Sequence, residues 1–544
     1  MTEHSLFRVA VPAVLFASAV SVIAAAWWWM GEGVPMPLSP LARGEKLYCV
    51  SYAPFRGTQS PLTPPVQIEP WQIEEDLAKL SQLTDCVRTY ATEFGLDRIP
   101  EIAKRHGMKV IQGIWLSGNA EKNQTEIETA IRLARQFPDV IRALVVGNEV
   151  LLRGEMTAQD LAGVIRNVKS QAGVPVTYAD VWEFWLRYRD VYEAVDFVTI
   201  HILPYWEDFP ISAQESVSHV DSIRRKVAAA FPNKEILIGE TGFPSAGRMR
   251  EGARPSPSSQ ARVIQEIVAL SKRDNFRVNV IEAFDQPWKR RLEGTVGGHW
   301  GLFDADSRAF KFAWGEPKSD HPAWRRQIGG GVLMAALVFG VALLGRFRKV
   351  RSISAPAPLW IGVAVIATLA GTLVPLAAEK MPLESLGAGG WFRSIVLFAL
   401  AIACPLAGSA ALMRAAAIPA FAQVLTRRGV EFDCRLTPAL GLLLVAVTLA
   451  ALQVALGLVF DPRYKDFPYA PLTAAVTPFF VLSLFLRRPG GSRALAETVA
   501  AGALALSLVY VAFNESFVNW QSLWLCGLFA VLAFTLSRAR DARG

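Results

Sequence analysis

The chain has 544 residues, too many for one ordinary domain, and 52% of them are hydrophobic. Its formal charge is +8, yet the basic residues form no single stripe, which argues against a nucleic-acid partner. They cluster in short groups between apolar runs, the pattern of membrane topology.

The first apolar run, 9–30, is long enough to cross a bilayer as a helix. Ala24 to Ala26 would suit a cleaved leader, but Trp27 to Trp29 follow directly. A tryptophan belt at an interface predicts a retained anchor. From about Gly44 to Asp320 the chain is mixed and charged. β-Branched runs recur there at 47–52, 86–90, 109–114, 143–147, 174–178, 196–201, 235–239 and 278–283. Amphipathic stretches lie between them at 73–83, 124–135, 158–170, 219–230 and 259–273. Eight strands alternating with helices predict a (β/α)8 TIM barrel.

From Gly329 onward seven further apolar runs follow, at 330–345, 359–378, 395–413, 437–460, 472–486, 495–513 and 523–537. They predict an all-α multispan transmembrane bundle. The expected domains are therefore an anchor at 1–30, an external domain at 31–325 and a seven-helix membrane domain at 326–544. Arg346, Arg348, Lys349 and Arg351 follow one span; Arg427, Arg428 and Arg435, then Arg487, Arg488 and Arg493, then Arg538, Arg540 and Arg543 mark later ones. The loops between these are mixed or acidic. Positive-inside bias places both termini in the cytoplasm and the barrel outside. Few ionisable residues fall within the spans, so the bundle reads as an anchor rather than a proton path.

Cys404 and Cys526 lie in spans and Cys434 in a cytoplasmic loop. Cys49 and Cys86 fall on adjacent barrel strands. They are expected as two buried free thiols, because strand neighbours rarely meet bridging geometry; a disulfide is the alternative in an external compartment. No Cys/His cluster has zinc spacing and no glycine loop suits a phosphate, so no cofactor or metal is expected.

Two runs, VVGNEV at 145–150 and LIGETGFPS at 237–245, end strands 4 and 7 with Glu149 and Glu240. In a barrel both would open on the C-terminal face, where active sites sit. Two carboxylates there are the minimum equipment for glycoside hydrolysis, and a separation near 5 Å would mark a retaining enzyme.

The runs VRTYAT (87–92), VVGNEV, TYADVWEFW (177–185), IGETGFPSAG (238–247), EAFDQPWK (282–289) and GGHWGLFD (297–304) fall in this order on strands 2, 4, 5, 7 and 8. Over residues 45–315 the chain resembles glycoside hydrolase family 17, the β-1,3-glucanases and β-1,3-glucan transglucosylases. With its membrane segments it is similar to bacterial inner-membrane proteins described as β-(1→6)-glucan synthases, associated with periplasmic cyclic β-1,3/1,6-glucans. The resemblance implies that Glu149 is the acid/base, that Glu240 is the nucleophile, and that no metal is needed. Asn148 would bind the sugar 2-hydroxyl and Arg88 would keep Glu240 ionised. Glu282 would bind substrate or tune its neighbours, and the family pattern has glutamate where this chain has Gln286. Among the aromatics, Tyr90, Tyr178, Tyr205 and Trp288 are expected as sugar contacts, and His201 as a structural histidine. In the bundle, loops 461–469 and 514–521 offer Tyr469 and Trp520 to glucan.

The implied activity is retaining glucosyl transfer on β-1,3-glucan, with hydrolysis as one alternative and a non-catalytic glucan transporter or sensor as another. The expected partners are β-glucan, the lipid bilayer and a glucan synthase.

Overall fold

The computed structural model describes residues 3–347, 357–426, 435–485 and 491–541. They fall into two compact units, Val34–Lys318 and a second made of Met1–Gly33 with Ser319–Gly544.

In the first unit eight parallel strands close a barrel in sequence order. They are β1 Cys49–Ser51, β2 Cys86–Arg88, β3 Lys109–Ile114, β4 Ile141–Asn148, β5 Val176–Val181, β6 Val198–His201, β7 Ile236–Thr241 and β8 Arg277–Val280. β1 and β8 make the closure, with Cys49 opposite Asn279 and Val50 opposite Val280. All eight expected strands are present. β4, β5 and β7 run past their expected C-terminal ends, because Asn148 pairs with Ala179, Val181 with His201, and His201 with Glu240. The residues that matter therefore sit at the ends of paired strands, where the ladder fixes their direction.

The helices Pro70–Leu80, Ala120–Gln136, Ala158–Ala172, Ser216–Ala230 and Pro257–Arg273 wrap this barrel. Their starts follow from local chemistry. Asn119, Thr157 and Ser256 each accept a hydrogen bond from the backbone N–H three residues on, at 3.1, 3.2 and 3.1 Å, which satisfies donors a helix leaves orphaned. Two short helices, Ile99–Arg105 and Trp182–Arg187, went unexpected; at under two turns they carry no readable period.

Alternation along the strands sorts the core. Val50, Val87, Val110, Leu144, Val176, Val198, Ile238 and Val280 are buried in the main apolar cluster with the helices. Cys49, Cys86, Ile111, Val145, Ala179 and Leu237 form a small cluster of their own. Other buried strand positions are polar: Asn279 Nδ2 donates to Ser51 Oγ at 2.7 Å and to Gly239 O at 2.6 Å. The expectation of free thiols is corrected here. Cys49 and Cys86 form a disulfide, because β1 and β2 run in register and bring their Cα atoms to 4.4 Å.

The second unit is helical. Among the described residues seven helices are long and apolar enough to cross a membrane: Ala10–Gly31, Trp324–Gly345, Ala357–Glu384, Gly387–Arg414, Leu436–Phe460, Leu495–Asn514 and Trp520–Ser537. The eighth expected span is the shorter apolar helix Tyr469–Phe485, of 17 residues. Close packing uses small residues. A Cβ on Gly331 would lie 2.2 Å from the carbonyl oxygen of Gly371, so two helices approach where neither has a side chain. The helix ending at Glu384 outruns its expected span and carries Glu379, Lys380 and Glu384 in its last turns, with Lys380 and Glu384 paired at 3.6 Å. Tyr469 is buried against Trp520, ring centroids 5.4 Å apart, so it presents no open face to a sugar. Cys434 and most of the loop cations, Arg348, Lys349, Arg351, Arg427, Arg428, Arg487, Arg488 and Arg543, lie outside the described residues.

Candidate active site

Glu149 and Glu240 meet at the C-terminal face of the barrel. Each has a carboxylate oxygen within 4.8 Å of the other's and of a nitrogen of His201. That matches the carboxylate spacing of retaining glycoside chemistry, in which no room is left for a water between the second carboxylate and the anomeric carbon.

Glu149 is held by its backbone. It adopts a left-handed conformation, φ +53°, which costs a non-glycine residue about 1 kcal/mol or more. Its N–H donates to Ala179 O at 2.8 Å and its carbonyl accepts from Arg153 N at 2.9 Å. Two residues earlier Gly147 has φ +87°, and a Cβ there would lie 2.8 Å from Val150. The GNE sequence is thus a turn that only glycine can open. Arg153 reinforces it, donating to the carbonyl of Asn148 and, at 2.7 Å each, to Leu116 O and Glu155.

Glu240 is nearly buried and surrounded by donors. Arg88 Nη1 lies 2.5 Å from its Oε1, and the Tyr90 hydroxyl donates to the same oxygen at 2.9 Å. His201 Nε2 stands 3.7 Å from it. Burial alone would favour the neutral acid, but His201, Arg88 and Lys289 outweigh it and hold Glu240 below the usual carboxylate range. All these contacts converge on Oε1 and leave Oε2 clear of them. Arg88 also donates to Asn148 Oδ1 and sits 4.1 Å from the Tyr90 ring centroid. One guanidinium thereby contacts Glu240, Tyr90 and the Asn148 beside Glu149.

The remaining expected residues divide. Glu282 is buried and grips Lys289 at 2.9 and 3.0 Å. Burial pushes its carboxyl up to about 7 against the pull of that ammonium. It therefore acts through Lys289, whose charge also reaches Glu240. Trp288 is half-buried and donates to Gln286 Oε1 at 2.8 Å. Gln286 donates in turn to Ala53 O at 2.8 Å and Phe284 O at 3.2 Å. An ionised glutamate could not make those two bonds, so the amide suits this chain's local backbone.

Tyr178 and Tyr205, expected as sugar platforms, are corrected to wall residues. Both are buried. The Tyr178 hydroxyl donates to Asp180 and accepts from Leu151 N at 2.9 Å, and Tyr205 donates to Arg248 O at 3.0 Å. Burial pushes Asp180 up to about 6.

Two residues were not expected in the site: His201, read as a structural histidine, and Trp115. His201 stands between the two glutamates, its Nδ1 3.0 Å from Glu149 Oε1. Its two nitrogens face different carboxylates, so one ion could use only one of them. Its strand-end position, matching those of Glu149 and Glu240, was the available signal. Trp115 is 38% exposed after β3, with the Arg153 guanidinium 4.4 Å from its ring centroid. It offers the open aromatic face that Tyr178 and Tyr205 lack.

The model of the BtgE/BtgC glycoside hydrolase domain matches residues 49–301. A glucan 1,3-beta-glucosidase of Candida albicans is 27% identical over 256 residues, 43% of this chain and 83% of that protein. One from Saccharomyces cerevisiae is 27% identical over 253 residues, 42% of this chain and 80% of that protein. A probable beta-glucosidase btgE of Aspergillus fumigatus is 30% identical over 226 residues, 40% of this chain and 39% of that protein. Among solved structures, the glycoside hydrolase family 17 beta-1,3-glucanosyltransferase from Rhizomucor miehei aligns with TM-score 0.43 at 24% identity, covering 48% of this chain and 95% of that one.

Proposed function

We propose that the barrel, a glycoside hydrolase domain of the BtgE/BtgC type that bears the family 17 motifs, transfers glucosyl units of β-1,3-glucan with retention of configuration. The observation that carries this reading is the approach of Glu149 and Glu240 to within 4.8 Å. Glu240 Oε2 attacks the anomeric carbon while Glu149 protonates the departing oxygen, giving a covalent glucosyl-enzyme. Glu149 then takes the proton of the incoming acceptor as that acceptor displaces Glu240. Asn148 is placed to bind the sugar 2-hydroxyl, Arg88 and Tyr90 to orient the nucleophile, and Glu282 to act through Lys289. Trp288 and Trp115 supply apolar faces for pyranose rings.

With a sugar hydroxyl as acceptor the product is a longer or branched glucan; with water it is hydrolysis. The relatives named as glucan 1,3-beta-glucosidases favour hydrolysis as the second reading. The apolar helices and the arginine clusters support a barrel tethered outside a bacterial inner membrane, both termini cytoplasmic. A tether suits the building of periplasmic β-1,3/1,6-glucan beside a synthase better than foraging. Incubating the detergent-solubilised chain with laminaripentaose and analysing the products by NMR tests this. Longer or branched products support transfer. Glucose and shortened chains alone would replace it by hydrolysis.

A further inference from the structure

His201 is fully buried, and a buried imidazole with one conventional partner is normally neutral. This one has two unconventional partners. Nδ1 lies 3.0 Å from Glu149 Oε1 and Nε2 3.7 Å from Glu240 Oε1. Nε2 has no hydrogen bond; the nearest opposite charge it faces is Glu240. The ring has been given space for this position. A Cβ on Gly239 would lie 2.4 Å from Thr199 Cγ2, 3.3 Å from His201 Cδ2 and 3.4 Å from His201 Nε2, so the glycine before Glu240 leaves room for Thr199 and for the histidine ring.

We propose that His201 stores the proton that arms the general acid: the proton on Nδ1 crosses to Glu149 Oε1 before bond cleavage and returns when the cycle closes. The proposal rests on the catalytic reading of Glu149 and Glu240, and His201 acts through Glu149 as a positioning residue. The balance is closed. At rest an imidazolium lies between two carboxylates, with net charge −1. Moving one proton along the Nδ1–Oε1 hydrogen bond gives a neutral imidazole that keeps its Nε2–H toward Glu240, a protonated Glu149 and an ionised Glu240, again −1. Glu149 then gives the proton to the glycosidic oxygen as the C1–O bond breaks toward that oxygen and the C1–Glu240 ester forms. In the second half Glu149 takes a proton from the acceptor hydroxyl, the acceptor oxygen bonds to C1, and Glu240 leaves as a carboxylate. Return of the proton to Nδ1 restores the resting state.

The charged groups around the ring agree with a held proton. Burial opposes the imidazolium and Arg88 on β2 repels it, yet Glu240 on β7 and Glu149 on β4 raise its affinity above the ordinary histidine value. Asp180 on β5 also feels its charge. Once Glu240 is esterified the largest of these attractions disappears, so a neutral ring is favoured while Glu149 serves as base.

The test uses the full chain in detergent, with 15N-labelled histidine and the His201 resonance assigned by its loss in His201→Gln. The ring is expected to remain an imidazolium to above pH 6.5 in the wild type, and its midpoint to fall by about one pH unit in Glu240→Gln. In kinetics, His201→Gln should lower the alkaline limb of kcat/KM on laminari-oligosaccharides by about one pH unit. Turnover of a dinitrophenyl glucoside, whose leaving group needs no acid, should change by only a few-fold. A ring that is neutral from pH 5 to 8 in the wild type overturns the proposal, as does an unmoved alkaline limb in folded His201→Gln. If the chain turned over no β-glucan while His201 still titrated in step with Glu240, the substrate reading would fail and the stored proton would stand.

Discussion

Glu240 owes its charge to side chains from three other elements: Arg88 on β2, His201 on β6 and Lys289 beyond β8. As the proposed nucleophile, Glu240 must be ionised, and its carboxyl is held low, so activity should be present above that low value and be lost as pH falls through it. Arg88→Met removes one cation and raises Glu240. The acid limb of kcat/KM should move up by about one pH unit, and an unmoved limb in a folded variant would show that Arg88 only braces the barrel mouth. The meeting of Glu149, Glu240, Asn148 and Arg88 was legible because each lies in a motif at a strand end. Tyr178 and Tyr205 were misread because an aromatic at a strand end can turn into the wall, and only the partners of its hydroxyl reveal that. His201 was underread because a lone histidine has no spacing to betray its two neighbours.

At the scale of elements, the strand pattern was readable throughout, since β-branched runs and capped amphipathic helices are local signals. Strand ends were not, because pairs such as His201 with Glu240 depend on register between distant segments. The turn into Glu149 carries the sharpest test of local geometry. Gly147→Ala places a Cβ 2.8 Å from Val150 at a φ of +87°. It should cost about 1–3 kcal/mol in thermal unfolding and lower kcat by displacing the acid; an unchanged melting temperature would contradict the strained turn. The disulfide was only the alternative expectation because adjacency of strands does not reveal which thiols face each other. It joins residues 37 apart. The double substitution Cys49→Ser with Cys86→Ser should lower stability by about 2–4 kcal/mol, read by denaturant unfolding. Equal midpoints for the two proteins would mean that the bridge does not constrain the unfolded chain.

For the whole molecule, hydropathy separated a polar barrel segment from apolar helices without ambiguity, because the two solvents demand opposite surfaces. Span ends were less legible: Trp324–Gly345 begins with arginines that hide its first turn. Orientation rests on the loop cations. In intact cells an exposed Ser307→Cys variant should react with a membrane-impermeant maleimide, while the wild type, whose barrel cysteines are bridged, should not. Labelling only after lysis would reverse the topology.

The central claim is that this barrel works through a covalent bond to Glu240. The most direct measurement is peptide mass mapping after incubation of the full chain with a dinitrophenyl 2-deoxy-2-fluoro-β-glucoside. One fluoroglucosyl adduct per chain on the peptide containing Glu240 is predicted. Labelling of Glu149 or another carboxylate instead, or glucan turnover with inversion at the anomeric carbon, would contradict it.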